Sequence, residues 1–282
     1  MKKNIGFMQG RLSPIYKNKI QCFPKFHWDK EFKIANKLGL KIMEWTLDYE
    51  GLLENPLLKS EGQEKIKSLS QKYKIVIPSV TGDCFMEMPY WKEKKLEIKE
   101  QLDIKFDLIC KACKLLEIKY LVIPLVDNGR IENNYHKEVL IEWLNSKLNF
   151  LKDCKLTILF ESEYPPKNLR DFISNFPETN FGINYDIGNS ASFGYECDIE
   201  FAEYGERIRN VHVKDRKLGG NTVPLGLGNA DFRKVFNNLN EINYEGNFIM
   251  QAARANNGDH SFLLNKYRIM IETWINELKI GI

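Results

Sequence analysis

The chain has 282 residues, of which 43% are hydrophobic and 28% are charged, so it has enough apolar material for a large globular core. Its 41 Lys and Arg against 38 Asp and Glu leave a net charge of +3, and the basic residues form no block, which argues against nucleic acid as a partner. Gln9, Gly10 and Arg11 interrupt the first apolar run, and no other run approaches the roughly 20 residues of a membrane span, so neither a targeting segment nor a membrane segment is expected.

Short apolar segments alternate with amphipathic ones along the whole chain. The predicted strands, in chain order, are NIGFMQ, LKIMEW, KIVIPSV, KYLVIPLV, LTILFES, FGINYD, IRNVHVK and NFIMQA. The helical patterns that follow them cover 29–38, 60–73, 92–117, 136–151, 167–175, 199–206, 231–242 and 260–278. Eight strand–helix units in strict alternation favour an α/β fold with a parallel sheet, and in this length they favour a closed (β/α)₈ TIM barrel, one domain over residues 1–282.

The cysteines carry one tight spacing, CKAC at Cys110 and Cys113. It lies inside a long helical pattern, and no second pair stands at zinc spacing. We therefore interpret the pair as buried helix cysteines, which suits a reducing cytoplasm.

Polar residues end the last four predicted strands. Side chains alternate faces along a strand, and in a TIM barrel the catalytic groups emerge at the carboxyl ends of the strands. The residues that would converge there are Glu161, Asp186, His212 and Gln251. Two carboxylates, an imidazole and an amide oxygen predict one divalent cation. The oxygens favour Mn²⁺ or Mg²⁺, and the imidazole leaves Zn²⁺, Co²⁺ or Fe²⁺ open.

Those residues also carry a resemblance that covers essentially the whole chain. The chain resembles the xylose isomerase-like TIM barrels, the superfamily of tagatose 3-epimerase, ribulose-phosphate 3-epimerase and endonuclease IV, and above all its bacterial sugar-phosphate isomerase/epimerase members. The segments that carry the resemblance are IGFMQGRLSP, IMEWTLD, LFES, NYDIGN, HVKDR, VPLGLGNADF and YEGNFIMQAARA. HVKD with a downstream Gly-rich loop is fairly specific to the superfamily, but not to one substrate.

The resemblance implies a set of metal ligands. In the family a Glu, an Asp, a His and a second Glu after strands five to eight hold the cation, which correspond here to Glu161, Asp186, His212 and Gln251. Gln251 departs from the usual Glu, and Asn189 stands where the family has a His three residues after the Asp. Glutamine can offer its carbonyl oxygen to a metal, but it cannot exchange a proton near neutral pH.

The resemblance also implies a reaction. Glu161 would remove a proton beside a sugar carbonyl to give an enediolate whose charge the cation stabilises. With Gln251 in place of Glu, aldose–ketose isomerisation by one base remains available, whereas 3-epimerisation needs a substitute acid. Glu44, on the inward face of KIMEW, is the first candidate, and a buried salt-bridged role for it is equally open.

Further polar residues near the strand ends are candidates for substrate binding. Asn189 is one of them, Lys214 could hold a hydroxyl or a phosphate, and Asp215 could orient its neighbours. The loops after strands seven and eight often bind phosphate in TIM barrels, and Gln9 and Arg11 follow the first strand. The loop candidates for phosphate are Arg216, Lys217 and Arg254, with solvated loop charges as the alternative.

The predicted protein is a cytoplasmic isomerase or epimerase of a small sugar or sugar phosphate, with no nucleic-acid or membrane partner; a homodimer remains possible. A metal-dependent lyase or dehydratase acting on a polyol or keto acid uses the same proton-removal step and is the alternative. An endonuclease IV-like repair enzyme would need many histidines and a basic groove, whereas this chain has four His and a net charge of +3.

Overall fold

Eight parallel strands close into a barrel at the centre of the molecule. The computed structural model describes residues 4–280, so residues 1–3 and 281–282 of the predicted domain lie outside the described residues. Each barrel strand pairs with the next one along the chain, and the first pairs with the last, where Phe7 is opposite Met250. The barrel strands are β1 (Ile5–Met8), β2 (Ile42–Thr46), β3 (Val76–Thr81), β4 (Tyr120–Leu125), β5 (Thr157–Ser162), β6 (Phe181–Asp186), β7 (Ile208–Val213) and β10 (Asn247–Met250). The predicted (β/α)₈ barrel is confirmed.

Helices follow the strands, and a short antiparallel ribbon lies after β7. The ribbon pairs β8 (Asp215–Arg216) with β9 (Thr222–Val223). The helices are α1 (Trp28–Lys37), α2 (Ser60–Tyr73), α3 (Asp83–Glu87), α4 (Leu96–Leu115), α5 (Asn134–Ser146), α6 (Leu148–Cys154), α7 (Pro166–Ile173), α8 (Ile187–Phe193), α9 (Cys197–Tyr204), α10 (Phe232–Glu241) and α11 (His260–Ile280).

The helix predicted over 136–151 is two helices in the structure. Lys147 lies between α5 and α6 with φ −88° and ψ 0°, outside the α-helical range of ψ. Its ammonium contacts the carboxylates of Asp103 at 2.7 Å and Asp107 at 2.9 Å on α4. No Gly or Pro marks the break, so the local pattern gave no signal of it.

Two short helices at the barrel mouth, α3 and α8, were not predicted. They begin directly after β3 and β6, at Asp83 and Ile187. The side chain of Asp186 accepts a hydrogen bond from the backbone N–H of Asn189 at 2.8 Å and so caps α8. These helices fix the backbone positions of polar residues at the mouth, among them Asp83 and Asn189.

The layer between strands and helices is apolar. Phe160 on β5 has its ring centroid 5.1 Å from that of Phe172 on α7 and 6.1 Å from that of Phe181 on β6, and all three rings are fully buried. Truncating such a phenylalanine to alanine typically costs about 3–5 kcal/mol. This layer holds the helices against the barrel, and it leaves the barrel interior free for other side chains.

Beneath the mouth, the barrel interior contains a cluster of polar side chains. Glu44, Ser79, Asn210 and His212 have no exposed surface. Glu44 Oε2 accepts hydrogen bonds from Ser79 Oγ at 2.6 Å and Asn210 Nδ2 at 2.9 Å. A buried polar group without a partner costs about 1–3 kcal/mol, so these hydrogen bonds make a polar interior tolerable.

Two expectations about segments can be compared with the structure. Cys110 and Cys113 are buried free thiols on α4, in agreement with their interpretation as helix cysteines. Among the described residues, no helix combines the length and the apolar character that crossing a membrane requires.

Candidate active site

Three of the predicted ligand residues form a compact buried cluster at the carboxyl ends of neighbouring strands. Glu161, Asp186 and His212 each offer a ligand atom, and these atoms all lie within 4.8 Å of one another. His212 Nδ1 is 2.9 Å from Glu161 Oε2 and 4.0 Å from Asp186 Oδ2. The period-two alternation of β5, β6 and β7 therefore brings their last inward side chains to one point.

Glu44 holds the imidazole of His212 from below. Its Oε1 lies 2.7 Å from His212 Nε2, and its other oxygen is held by Ser79 and Asn210. When Nε2–H donates to Glu44, Nδ1 faces Glu161 and Asp186, as in the carboxylate–histidine pairs behind metal sites. Glu44 has no exposed surface and makes a buried ion-pair contact with His212.

The cluster has the donor chemistry of a divalent-cation site. His212 Nδ1 and Asp186 Oδ2 are buried, and their close contacts lack hydrogen-bond geometry. Two carboxylates and one imidazole are suitable ligands for Mn²⁺, Mg²⁺ or a later transition metal. The residues present therefore fit such an ion.

Electrostatics in the cluster favour a charged Glu161. Burial acts to raise the pKa of Glu161, but the close positive charge of His212, with help from Lys214, outweighs it and lowers that pKa to about 2. Burial acts to lower the pKa of His212, but the carboxylates of Glu44 and Glu161 raise it to about 10. Burial raises the pKa of Asp186, against the opposing charge of Lys214.

Lys214 connects this cluster to Gln251. Its ammonium lies 2.7 Å from Asp186 Oδ2 and donates a hydrogen bond to Gln251 Oε1 at 3.1 Å. A Cβ at Gly188 would lie 2.8 Å from Lys214 Cγ, so glycine at this position leaves room for the lysine side chain. The oxygen of Gln251, predicted as a metal ligand, is thus engaged with Lys214.

Two asparagines fix the carboxylate of Glu161. Asn184 Nδ2 donates to Glu161 Oε2 at 2.9 Å, and Asn189 Nδ2 donates to Glu161 Oε1 at 2.8 Å. Arg216 in turn donates to Asn189 Oδ1 at 2.8 Å and to the carbonyl of Gly220. Asn189 therefore holds the carboxylate of the cluster, and its contact with substrate stays a prediction.

A cavity of about 750 Å³ opens above the cluster. Five of the predicted site residues line it: Glu161, Asn189, Lys214, Arg216 and Gln251. Residues that the sequence did not single out line it as well, among them Lys19, Gln21, Asp48, Asp83, Arg130 and Thr222. The cavity is large enough for a small sugar derivative, and both acidic and basic side chains line its wall.

A family model for the xylose isomerase-like TIM barrel matches residues 32–265, most of the chain. The chain belongs to the xylose isomerase-like TIM barrel family. The resemblance stated from the motifs is confirmed.

Curated relatives of this xylose isomerase-like barrel differ in how much of their length is matched. The chain is 22% identical to L-ribulose-5-phosphate 3-epimerase UlaE of Escherichia coli strain SMS-3-5 over 232 residues, which cover 79% of this chain and 81% of that protein. It is 35% identical to inosose dehydratase of Clostridium tetani over 106 residues, which cover 29% of this chain and 35% of that protein. A further curated relative from Escherichia coli is matched over 27% of its length.

Solved structures share the fold of this family member. D-allulose 3-epimerase from Methylomonas sp., in complex with D-allulose, superposes with a TM-score of 0.76 over 96% of each chain, at 14% sequence identity. D-psicose 3-epimerase from Clostridium cellulolyticum H10 superposes with a TM-score of 0.71 at 13% identity, over 97% of this chain and 98% of that one. At such identities the likeness shows the fold alone.

Several predicted substrate-binding residues do not line the cavity of this xylose isomerase-like barrel. Gln9 is buried, and its Oε1 accepts the backbone N–H of Thr46 at 3.1 Å. Arg11 is buried and donates to Ala252 O at 3.0 Å and to Gln21 Oε1 at 3.2 Å. Gln9 therefore connects the ends of β1 and β2, and Arg11 connects the segment after β1 to the segment after β10.

The predicted loop residues divide between structural and exposed positions. Asp215 is buried, and its carboxylate accepts the backbone N–H groups of Gly226 at 2.9 Å and Gly228 at 2.8 Å. Lys217 is exposed, and Arg254 donates to the backbone carbonyl of Ser13. Of the three loop candidates for phosphate, Arg216 is the one that lines the cavity, as Lys214 also does.

Gln21 and Asp83 are among the cavity-wall residues that the sequence did not single out. The predicted third strand stopped at Val80, whereas β3 ends at Thr81 and Asp83 begins α3 two residues later. Extending the strand-end test by three residues would have found Asp83. Gln21 lies in the loop after β1 and carries no periodic signal.

Proposed function

We propose that this protein is a metal-dependent isomerase or epimerase of sugars or sugar phosphates that acts through an enediolate. The observation that carries the proposal is the position of Glu161, whose carboxylate belongs to the ligand cluster and also lines the cavity. One group can thus hold a cation and reach a substrate C–H bond. The names of the epimerase relatives support the same class of reaction.

Glu161, Asp186 and His212 are the proposed ligands of one divalent cation. Their oxygens favour Mn²⁺ or Mg²⁺, and the imidazole leaves Zn²⁺, Co²⁺ and Fe²⁺ open. When bound, such a cation stabilises negative charge on neighbouring substrate oxygens. We propose that Gln251 contributes through its hydrogen bond with Lys214.

Glu161 is the proposed base. It takes the proton from the substrate carbon, and the two electrons of the C–H bond stay on the substrate as the enediolate. Asn184 and Asn189 hold both carboxylate oxygens in place for this transfer. A carboxylate whose pKa is lowered in this way is a weak base in water, so the proposed transfer would be favoured when the substrate excludes water from the cavity.

The cavity wall supplies cations for an anionic group. Lys19, Arg130 and Arg216 line the same cavity as Glu161. Arginine and lysine are the side chains that bind phosphate most strongly, Arg216 through a fixed guanidinium plane. We therefore favour a sugar phosphate, with its phosphate among these residues and its reacting carbon beside Glu161.

A lyase or dehydratase is the second candidate, supported by the match to inosose dehydratase. Both reactions begin when Glu161 removes a proton beside a carbonyl. They differ in the product, because a dehydratase then expels a hydroxyl group as water.

Proton exchange in D₂O tests the proposal. The protein is loaded with Mn²⁺ or Mg²⁺, or stripped with a chelator, and followed by NMR with L-ribulose 5-phosphate, D-allulose and inosose. We expect deuterium to enter the substrate carbon beside the carbonyl only with the cation present, and no water to be lost. No exchange with any of the three would overturn the proposed function, and loss of water would favour the dehydratase.

Metal content supplies a second test. His212→Ala removes one proposed ligand, and His27→Ala removes a histidine on the surface near α1. We expect the purified His212→Ala protein to lose the bound cation while the His27→Ala protein keeps it, as measured by elemental analysis. Full occupancy in His212→Ala would contradict the ligand assignment.

A further inference from the structure

The half of the barrel mouth that faces the cluster is crossed by a row of hydrogen bonds. Gln251, after β10, donates from Nε2 to Gln21 Oε1 at 2.8 Å. Gln21, in the loop after β1, donates from Nε2 to Asp83 Oδ2 at 2.6 Å. The row therefore starts at the position where the family has its second glutamate, and it ends at a carboxyl group.

Asp83 stands apart from the other acids of the cavity wall. Six carboxylates in the described residues line the cavity: Asp48, Asp83, Glu87, Asp127, Glu161 and Glu163. Of these six, Asp83 and Glu161 are the two buried ones, with 8% and 5% of their surface exposed. The cavity thus has two enclosed carboxyl groups, and only one of them belongs to the metal-ligand cluster.

The position of Asp83 in the ring suits a second site of proton transfer. It follows β3, and β3 and β7 are four strands apart in the closed ring of eight, so Asp83 lies across the mouth from His212. Glu161, near the carboxyl end of β5, lies a quarter of the ring away from β3. A substrate seated over the cluster is therefore approached by the two carboxyl groups from different directions.

The other candidates for a second acid either cannot donate a proton or do not reach the cavity. Gln251 has an amide, which does not exchange protons near neutral pH. Glu44 is sealed beneath His212 and does not line the cavity. We propose, on the basis of the proposed function, that Asp83 is the second acid–base group, which delivers a proton to the face of the substrate that Glu161 does not reach.

Such an epimerisation needs no reactant besides the substrate, the two carboxyl groups and solvent protons. Glu161 takes the proton from the substrate carbon, and the electron pair remains in the enediolate. The protonated Asp83 then gives its proton to the opposite face of the same carbon and becomes a carboxylate. Exchange with solvent returns both groups to their starting forms, so the configuration at one carbon is inverted and nothing is oxidised or reduced.

The charges around Asp83 agree with this role. Burial raises the pKa of Asp83 to about 7, the hydrogen bond from Gln21 opposes the shift, and neighbouring acids add to it. The charged groups that face it are Asp48, Glu87, Glu161 and Arg11. The acid form is populated below pH 7 and is lost as the pH rises through that value, so inversion that starts from protonated Asp83 should slow above neutral pH.

Asp83→Asn separates the two proton transfers. Asparagine keeps the shape and an oxygen for Gln21, but it cannot donate a proton as an acid. In D₂O, with the cation-loaded protein and L-ribulose 5-phosphate or D-allulose, we expect deuterium exchange by Glu161 to stay within about tenfold of the wild-type rate. Inversion should fall about 10²–10⁴-fold, the range for general acid–base catalysis. Asp153→Asn, an exposed position on α6, is the matched control.

A second substitution guards against a purely structural effect. Gln251→Glu places a carboxyl group at the start of the row, and in the Asp83→Asn background it should restore inversion. Inversion at the wild-type rate in Asp83→Asn, or equal loss of exchange and inversion in a folded protein with no rescue, would overturn the role of Asp83. A wild type that exchanges deuterium without inverting a carbon would also overturn it, while the proposed function would stand.

Discussion

The barrel mouth has two halves with different chemistry. On β5, β6 and β7 stand charged groups at ion-pair distances, such as His212 and Glu161 at 2.9 Å. On the other half, two amides joined at 2.8 Å lead to the carboxyl group of Asp83. The first half can concentrate and stabilise charge, whereas the second can orient groups and has one carboxyl group that can carry a proton. The comparison teaches that the effect of a substitution at the mouth should depend on the half in which it falls.

The largest expected effect comes from the charged half. Glu161→Gln keeps the volume of the side chain but removes the base, so deuterium exchange into the substrate should fall about 10²–10⁴-fold. Exchange is measured by NMR in D₂O with the cation-loaded protein, and Glu241→Gln, an exposed position at the end of α10, serves as the control. If Glu161→Gln exchanges deuterium at the wild-type rate, another group is the base, and the charged half does not carry the proton removal.

A smaller effect is expected from the residue that holds His212. Glu44→Gln weakens the contact at His212 Nε2, and loss of such a partner typically lowers metal affinity 10–100-fold. Competition with a chelating dye for Mn²⁺ measures this without any substrate. Glu61→Gln, an exposed position on α2, should leave the affinity unchanged. An unchanged affinity in Glu44→Gln would mean that the imidazole is held well enough by its other neighbours.

The smallest effect is expected at Lys214, which joins the two halves. Lys214→Met removes a positive charge 2.7 Å from Asp186 Oδ2, and it frees the oxygen of Gln251. Because like charges repel, Mn²⁺ should then bind about tenfold more tightly, which corresponds to ~1.4 kcal/mol. The same dye competition measures it, with Lys217→Met on the exposed loop as the comparison. Weaker binding of Mn²⁺ to Lys214→Met would show that the lysine supports the cation instead of repelling it.

The charged half could be predicted from the sequence because local periodicity carries it. Glu161, Asp186 and His212 each follow a short β-prone run, and the period of two together with barrel closure brings them to one point. A search of the three residues after Val80 would also have reached Asp83, although it lies at the start of α3 and outside the alternation of β3. These predictions need only the backbone geometry of single strands.

The rest of the site depends on contacts between distant parts of the chain. Glu44 and His212 are separated by 168 positions, and Gln21 and Gln251 by 230. Periodicity does not predict the hydrogen bond between Lys214 and Gln251, because that contact depends on how the two side chains pack at the mouth. The break at Lys147 has the same cause, since its partners lie on another helix.

The ribbon after β7 bears on how the site recognises its ligand. Asp215 gathers the backbone amides of Gly226, Gly228 and Ala230 onto one carboxylate, and a Cβ at Gly228 would lie 1.9 Å from its Oδ1. A loop held by these hydrogen bonds is ordered when the protein folds. Binding a ligand against it therefore does not carry the additional entropic cost of ordering the loop. We therefore expect the cavity wall that carries Arg216 to keep its shape when a ligand binds. Ligands should then be selected at this wall by how well they fit its existing shape.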